Sequence, residues 1–176
     1  MVFGSDFMDY KLISEAAKRY KDISKICDII DKKKLLTRTD GYKRALKDIF
    51  RIDTAKFMMF LSASDGSLSR TEVELLDAVT GCNTDAKTLA VLIKEFKLNS
   101  VQFAVKILPV IKIAVECDKA VEENGLIKDK CFSEAVVGFF KVFGKAVIGL
   151  DGVTKKEDNG FDIYIGNLES FIEKSK

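Results

Sequence analysis

The 176-residue chain contains no histidine, no tryptophan and a single proline. Without histidine there is no Ser-His-Asp or Cys-His nucleophile pair, no imidazole metal ligand and no imidazole proton shuttle. One proline beside 11 glycines leaves few helix breakers and room for long helices. Cys27, Cys82, Cys117 and Cys131 form no Cys-x-x-Cys pair, so neither a zinc ribbon nor a thioredoxin-like redox pair is supported. The opening residues, MVFGSDFMDYKL, carry Asp6 and Asp9 and lack the apolar run of a secretory signal. With unpaired thiols and no signal, a reducing cytoplasm is the expected location. Also missing are a Gly-rich phosphate loop, a nucleophile elbow and a dinucleotide fingerprint. What is left for chemistry is Asp, Glu, Lys, Arg, Ser, Thr, Tyr and Cys, and no enzyme is expected.

Charge is plentiful and nearly balanced, with 29 Lys and Arg against 27 Asp and Glu. A nucleic-acid protein would concentrate a basic excess, so none is expected as partner. Residues 1–56 hold 14 basic and 9 acidic residues, and the excess sits mainly around Lys32, Lys33, Lys34 and Arg38. A solvated helix end accounts for that cluster, and a lipid or phosphate contact is the alternative. The most apolar stretch, CFSEAVVGFFKVFGKAVIGL (131–150), is interrupted by Glu134, Lys141 and Lys145. At about 100° per residue these three and Gly138 share one stripe, which reads as a core helix with one wet edge. Three charges in such a run are costly in a bilayer, so a membrane span is rejected. Gly138, Gly144 and Gly149 are expected to let neighbouring helices approach closely.

Apolar residues recur at helical spacing almost throughout, and no run alternates as a strand does. The expectation is an all-α compact bundle of seven to nine helices joined by short loops. A first helix covers about 5–35, and a second begins after Thr39-Asp40-Gly41. Asp53 or Thr54 is read as the cap of a third, Ser69 of a fourth ending near Gly81, and Thr84 or Asp85 of a fifth. Asn99 or Ser100 opens a long sixth that contains Pro109, where it bends or divides. Two more helices cover about 130–149 and 154–174. Tyrosines, Cys117, Cys131 and the Phe139, Phe140 and Phe143 group follow helical faces and read as packing residues.

The most informative pattern is a repeated acidic-glycine break. SASDGSLSRTEVELL (62–76) and IGLDGVTKKEDNGFDIYI (148–165) each run from helix to Asp-Gly to a Ser/Thr cap with an acid three residues later. Ser69 with Glu72 and Thr154 with Glu157 fit the S/T-x-x-E capping box. A weaker break, ENGLIKDKC (123–131), has Asn124-Gly125 without the later acid. Aligned with a calcium loop, Asp65, Gly66, Leu68 and Glu72 take positions 5, 6, 8 and 12, but Leu61 and Ala63 occupy positions 1 and 3. That excludes an EF-hand and leaves half a loop. Two such halves brought together would supply enough oxygens for Ca²⁺, Mg²⁺ or Mn²⁺; a plain helix-turn-helix junction explains the same residues without a ligand.

The segment FMMFLSASDGSLSRTEVELLDAV resembles the signature of TerB-like proteins, the tellurite-resistance protein B group. Their repeat runs helix, A-x-A-D-G-x-[IVL]-x-x-x-E, helix. Asp65, Gly66, Leu68 and Glu72 match it, and Ser62-Ala63-Ser64 stand for the small residues. In the second segment Asp151 and Gly152 match, Asp158 takes the place of the Glu, and Glu157 lies beside it. The likeness is clearest over 57–80 and 131–172. It implies one TerB-like helical domain over 1–176, with 57–176 as the core repeat pair and 1–56 as extra N-terminal helices. It further implies a non-enzymatic stress-response role, other stress-response proteins as partners, and a divalent cation (Ca, Mg or Mn) at Asp65, Glu72, Asp151, Glu157 and Asp158. The alternative is a metal-free protein-interaction scaffold.

Overall fold

The most apolar segment of the sequence becomes the axis of the fold. The computed structural model describes the backbone of residues 9–36, 44–62, 68–103, 106–150 and 155–176, and their side chains outside 95–103 and 155–159. Its helices are α1 (Tyr10–Lys32), α2 (Leu46–Ser62), α3 (Arg70–Thr80), α4 (Ala86–Phe103), α5 (Pro109–Glu123), α6 (Phe132–Leu150) and α7 (Lys155–Ser175). Among the described residues there is no strand.

Helix α6 packs against α1, α2, α3, α5 and α7. It buries Phe132, Val136, Phe139, Phe140, Phe143 and Val147. Around it the aromatic rings interlock: Tyr20 stacks on Phe50 with centroids 4.6 Å apart, Phe57 meets Phe140 edge-on at 5.0 Å, and Phe139 stacks on Phe143 at 5.5 Å. Each aromatic pair adds about 0.5–1.5 kcal/mol beyond the area it buries. The wet edge is where the sequence puts it. Lys141 pairs with Glu169 of α7, and Glu134 with Lys176 at 2.9 Å. Among the described residues no helix is long and apolar enough to cross a membrane.

Several local boundaries differ from the sequence expectation. Helix α2 continues through Asp53 and Thr54, both of which are buried inside it. Thr54 returns its hydroxyl to the Phe50 carbonyl at 2.8 Å, so it bonds within the helix instead of opening one. Because α2 runs from 46 to 62, it also crosses the boundary at 56/57 between the expected extra helices and the repeat core. Asn99 and Ser100 lie inside α4, and the break comes later, with Pro109 as the first residue of α5. Proline suits that place, since its missing N–H would have no helical partner there.

Helix α1 is capped by Asp9, whose carboxylate accepts from the amides of Lys11 and Leu12 at 3.0 and 3.2 Å. Its expected first turn, 5–8, lies outside the described residues. At the other end it stops before Leu35, because Lys34 takes φ 50° and the Leu35 amide turns back to the Ile30 carbonyl. Gly144 and Gly138 do mark close approaches: a Cβ at 144 would run into the Phe161 ring, and one at 138 would lie 3.0 Å from the Arg19 guanidinium. Gly149 marks none, having open space where its Cβ would be.

Candidate functional site

The capping box that follows the first Asp-Gly break is built as its sequence requires. The Ser69 hydroxyl accepts the Glu72 amide at 3.2 Å, and the Ser69 amide donates to Glu72 Oε2 at 2.6 Å, which completes the capping box at the start of α3. Leu68 packs against the core, and Glu72 is only 4% exposed. Asp65 lies outside the described residues, as do Asp151 and Thr154 of the second turn. Glu157 and Asp158 fall in the first turn of α7, their side chains outside the described set. Among the described residues no group of three or more Cys, Asp or Glu side chains is gathered to hold a metal. The third break closes on itself: Gly125 takes φ 62°, and the Asn124 side-chain amide donates to the Ala120 carbonyl at 2.8 Å.

A buried acid stands apart from those turns. Asp53 is 2% exposed, and its Oδ2 accepts the Val110 amide at 2.8 Å, so it caps α5, where Leu108 offers no side-chain acceptor. Burial pushes the Asp53 carboxyl up to about 7, against the opposing pull of the Val110 N–H and of Lys56. Tyr164, whose hydroxyl donates to the Lys106 carbonyl at 3.2 Å, has its own ionisation pushed upward by burial and then by the Asp53 charge. The sequence marked Asp53 as a capping residue. It is one, but for a helix 57 residues away.

One concavity lies between α2, α3 and the start of α4. Asp48, Arg51, Ile52 and Ala55 of α2 form one wall at helical spacing, with Arg44 from the segment before the helix. Leu76 and Thr80 of α3 form the second, and Thr88, Val91 and Leu92 of α4 the third, enclosing about 420 Å³. The loop between α3 and α4 is held by local chemistry. Gly81 takes φ 68° to end α3, and Asp77 accepts both the Thr84 amide (3.0 Å) and its hydroxyl (2.5 Å). Asp85 then caps α4 by accepting the Thr88 amide at 2.7 Å, a bond that holds its carboxyl below the usual range.

A second cleft of about 360 Å³ adjoins the first on the α1 side and shares Asp48, Arg51, Thr80 and Cys82 with it. Arg51 lies between the two, half exposed and 3.3 Å from Asp48. Tyr20 lines the second cleft, and burial pushes its phenol upward, with the neighbouring Cys82 adding to the shift and Arg51 opposing it. None of the four cysteines is in a disulfide, and Cys27 and Cys117 are buried. Sequence reasoning assigned the basic excess of residues 1–56 to Lys32–Arg38. The signal for the cleft was the i, i+3, i+4, i+7 placement of Asp48, Arg51, Ile52 and Ala55 on α2.

No protein-family model, curated protein or solved structure matches the chain.

Proposed function

We propose that this chain is a non-enzymatic, TerB-like stress-response domain whose acidic Asp-Gly turns bind a divalent cation. The observation that supports the reading is the posture of Glu72, the last acid of the motif. Its carboxylate folds back onto the N-terminus of α3, with Oε2 on the amide of Ser69, four residues after Asp65 in the sequence, at 2.6 Å. In this reading Oε1, the oxygen not engaged by the Ser69 amide, takes the cation together with Asp65. Asp151 with Glu157 or Asp158 would complete an all-oxygen set, which suits Ca²⁺, Mg²⁺ or Mn²⁺ and matches a chain without histidine.

Calorimetric titration of the whole chain with each ion tests this. Measurable heat and a raised melting temperature, both lost in Asp65→Asn, support it. No heat and no thermal shift at about 5 mM of any of the three ions sinks it. The second reading, a metal-free scaffold for another stress-response protein, is favoured by two large apolar side chains on the surface, Val91 at 51% and Ile163 at 66% exposure.

A further inference from the structure

The cleft between α2, α3 and α4 combines two properties that a solvated helix surface does not need together. Its floor is apolar, formed by Ile52, Ala55, Leu76 and Leu92. Among the residues that line it and the adjoining cleft, the cations Lys21, Arg44, Lys47 and Arg51 outnumber one acid, Asp48. Lys47 is partly engaged by Asp28 at 3.4 Å, and Arg51 by Asp48, Nη2 to Oδ1, at 3.3 Å. The Arg51 side chain is half exposed to solvent. A planar guanidinium in that position matches the geometry of a carboxylate or phosphate.

The walls are also fixed before any ligand arrives. Asp77 ties Thr84 down and Asp85 holds the first turn of α4, so the loop carrying Cys82 and Asn83 is already ordered. Ordering a loop on binding subtracts from affinity, and here that cost is met by folding. The volume of about 420 Å³ falls within the range of about 300–1,000 Å³ typical of small-molecule sites.

We infer that this cleft binds a small organic anion, an apolar body bearing one carboxylate or phosphate, with Arg51 and Arg44 at the oxyanion and Ile52, Leu76 and Leu92 against the body. The apolar floor sets the class apart from inorganic phosphate, and the arginines set it apart from a neutral hydrophobe. Thr88 and Asn83 on the opposite wall add short polar side chains near the mouth.

The test is amide NMR on the full chain, titrated with benzoate, phenyl phosphate, inorganic phosphate and benzyl alcohol. At least one of the two aromatic anions should shift the amides of residues 80–88 in a saturable way. Which of them does so identifies the oxyanion as carboxylate or phosphate. Inorganic phosphate and benzyl alcohol should each bind at least about tenfold more weakly, since each offers only half of the recognition. Arg51→Gln should weaken the aromatic anion at least about tenfold, and Arg51→Lys by a smaller factor, because a charge remains without the fork. Should Arg51→Gln fail to fold, Arg51→Lys and a titration at raised salt carry the test, each expected to weaken binding. The inference falls if neither aromatic anion moves the 80–88 amides at about 20 mM, if benzyl alcohol binds as well as the anions, or if folded Arg51 variants bind with unchanged affinity.

Discussion

The carboxylate of Asp53 on α2 accepts the backbone N–H of Val110 at 2.8 Å and so closes the first turn of α5. The two residues are far apart in sequence and adjacent in the core. A carboxylate at a helix N-terminus is favoured by the helix dipole and by the unpaired amides there. The same burial disfavours its charge, and burial prevails: the group is pushed up to about 7.

Stability should therefore depend on pH through Asp53. Its carboxyl titrates near 3.8 when unfolded and near 7 when folded. The folded state thus holds the proton more tightly, and the resulting stabilisation is present below pH 3.8 and lost as pH rises through 7. Asp53→Asn keeps an acceptor for Val110 and removes the ionisation. The difference in unfolding free energy between Asp53→Asn and the parent, from urea melts, should move in the variant's favour from pH 4.5 to pH 8, by on the order of a few kcal/mol. A pH-independent difference would contradict the assignment.

Two glycines of the central helix should respond oppositely to alanine. Gly144→Ala places a methyl against the Phe161 ring and should cost about 1–3 kcal/mol through overpacking. Gly149→Ala meets nothing within 4 Å, and its gain in helix propensity should stabilise by up to about 1 kcal/mol. Thermal or chemical melts of the two variants side by side give the answer.

Asp118 of α5 caps α6 from outside it. Its two oxygens accept the Ser133 amide at 2.8 Å and the Ser133 hydroxyl at 2.5 Å, and Ser133 is fully buried. Asp118→Ala strands both donors and should cost about 2–4 kcal/mol, whereas Asp118→Asn, which keeps one acceptor oxygen, should cost less. Equal losses for the two variants in denaturant melts would speak against the hydrogen bonds as the cause.

Thiol labelling should divide the cysteines into two pairs. Cys27 and Cys117 are enclosed by the core, and burial followed by the Asp31 charge pushes the Cys27 thiol upward. Cys82 and Cys131 are partly accessible. A disulfide reagent should count two fast thiols in the native chain and four after unfolding. Desolvation and then the Asp118 charge push the Cys131 thiol upward, so its labelling should quicken as pH is raised.

Local features were readable from sequence wherever their cause was local. Ser69, Glu72 and Gly81 lie within one helix and its ends, and each does what its residue type does at that spacing. The wet stripe of α6 follows from periodicity alone. Asp53 and Thr54 misled because a capping residue has the same sequence signature whether it caps its own helix or a distant one. The end of α4 was missed because Asn99 and Ser100 are cap formers tolerated inside a helix, a choice that propensity alone does not decide. The cleft needed three elements and a loop to exist, so only its α2 stripe left a trace. Of the five acids named for the cation, Glu72 is the one whose side chain is described, and it is a structural residue whatever else it holds.

The central place of α6 also orders the birth of the fold. Phe50 and Phe57, from the first third of the chain, find ring partners in Phe139, Phe140 and Phe143. During synthesis, α1, α2 and α3 emerge with those faces uncovered and must wait for roughly a further 50 residues before α6 arrives to receive them. Nascent chains stopped ahead of Phe132 should remain protease-sensitive and bind holdase chaperones. Release from both should come together once Leu150 has cleared the ribosome.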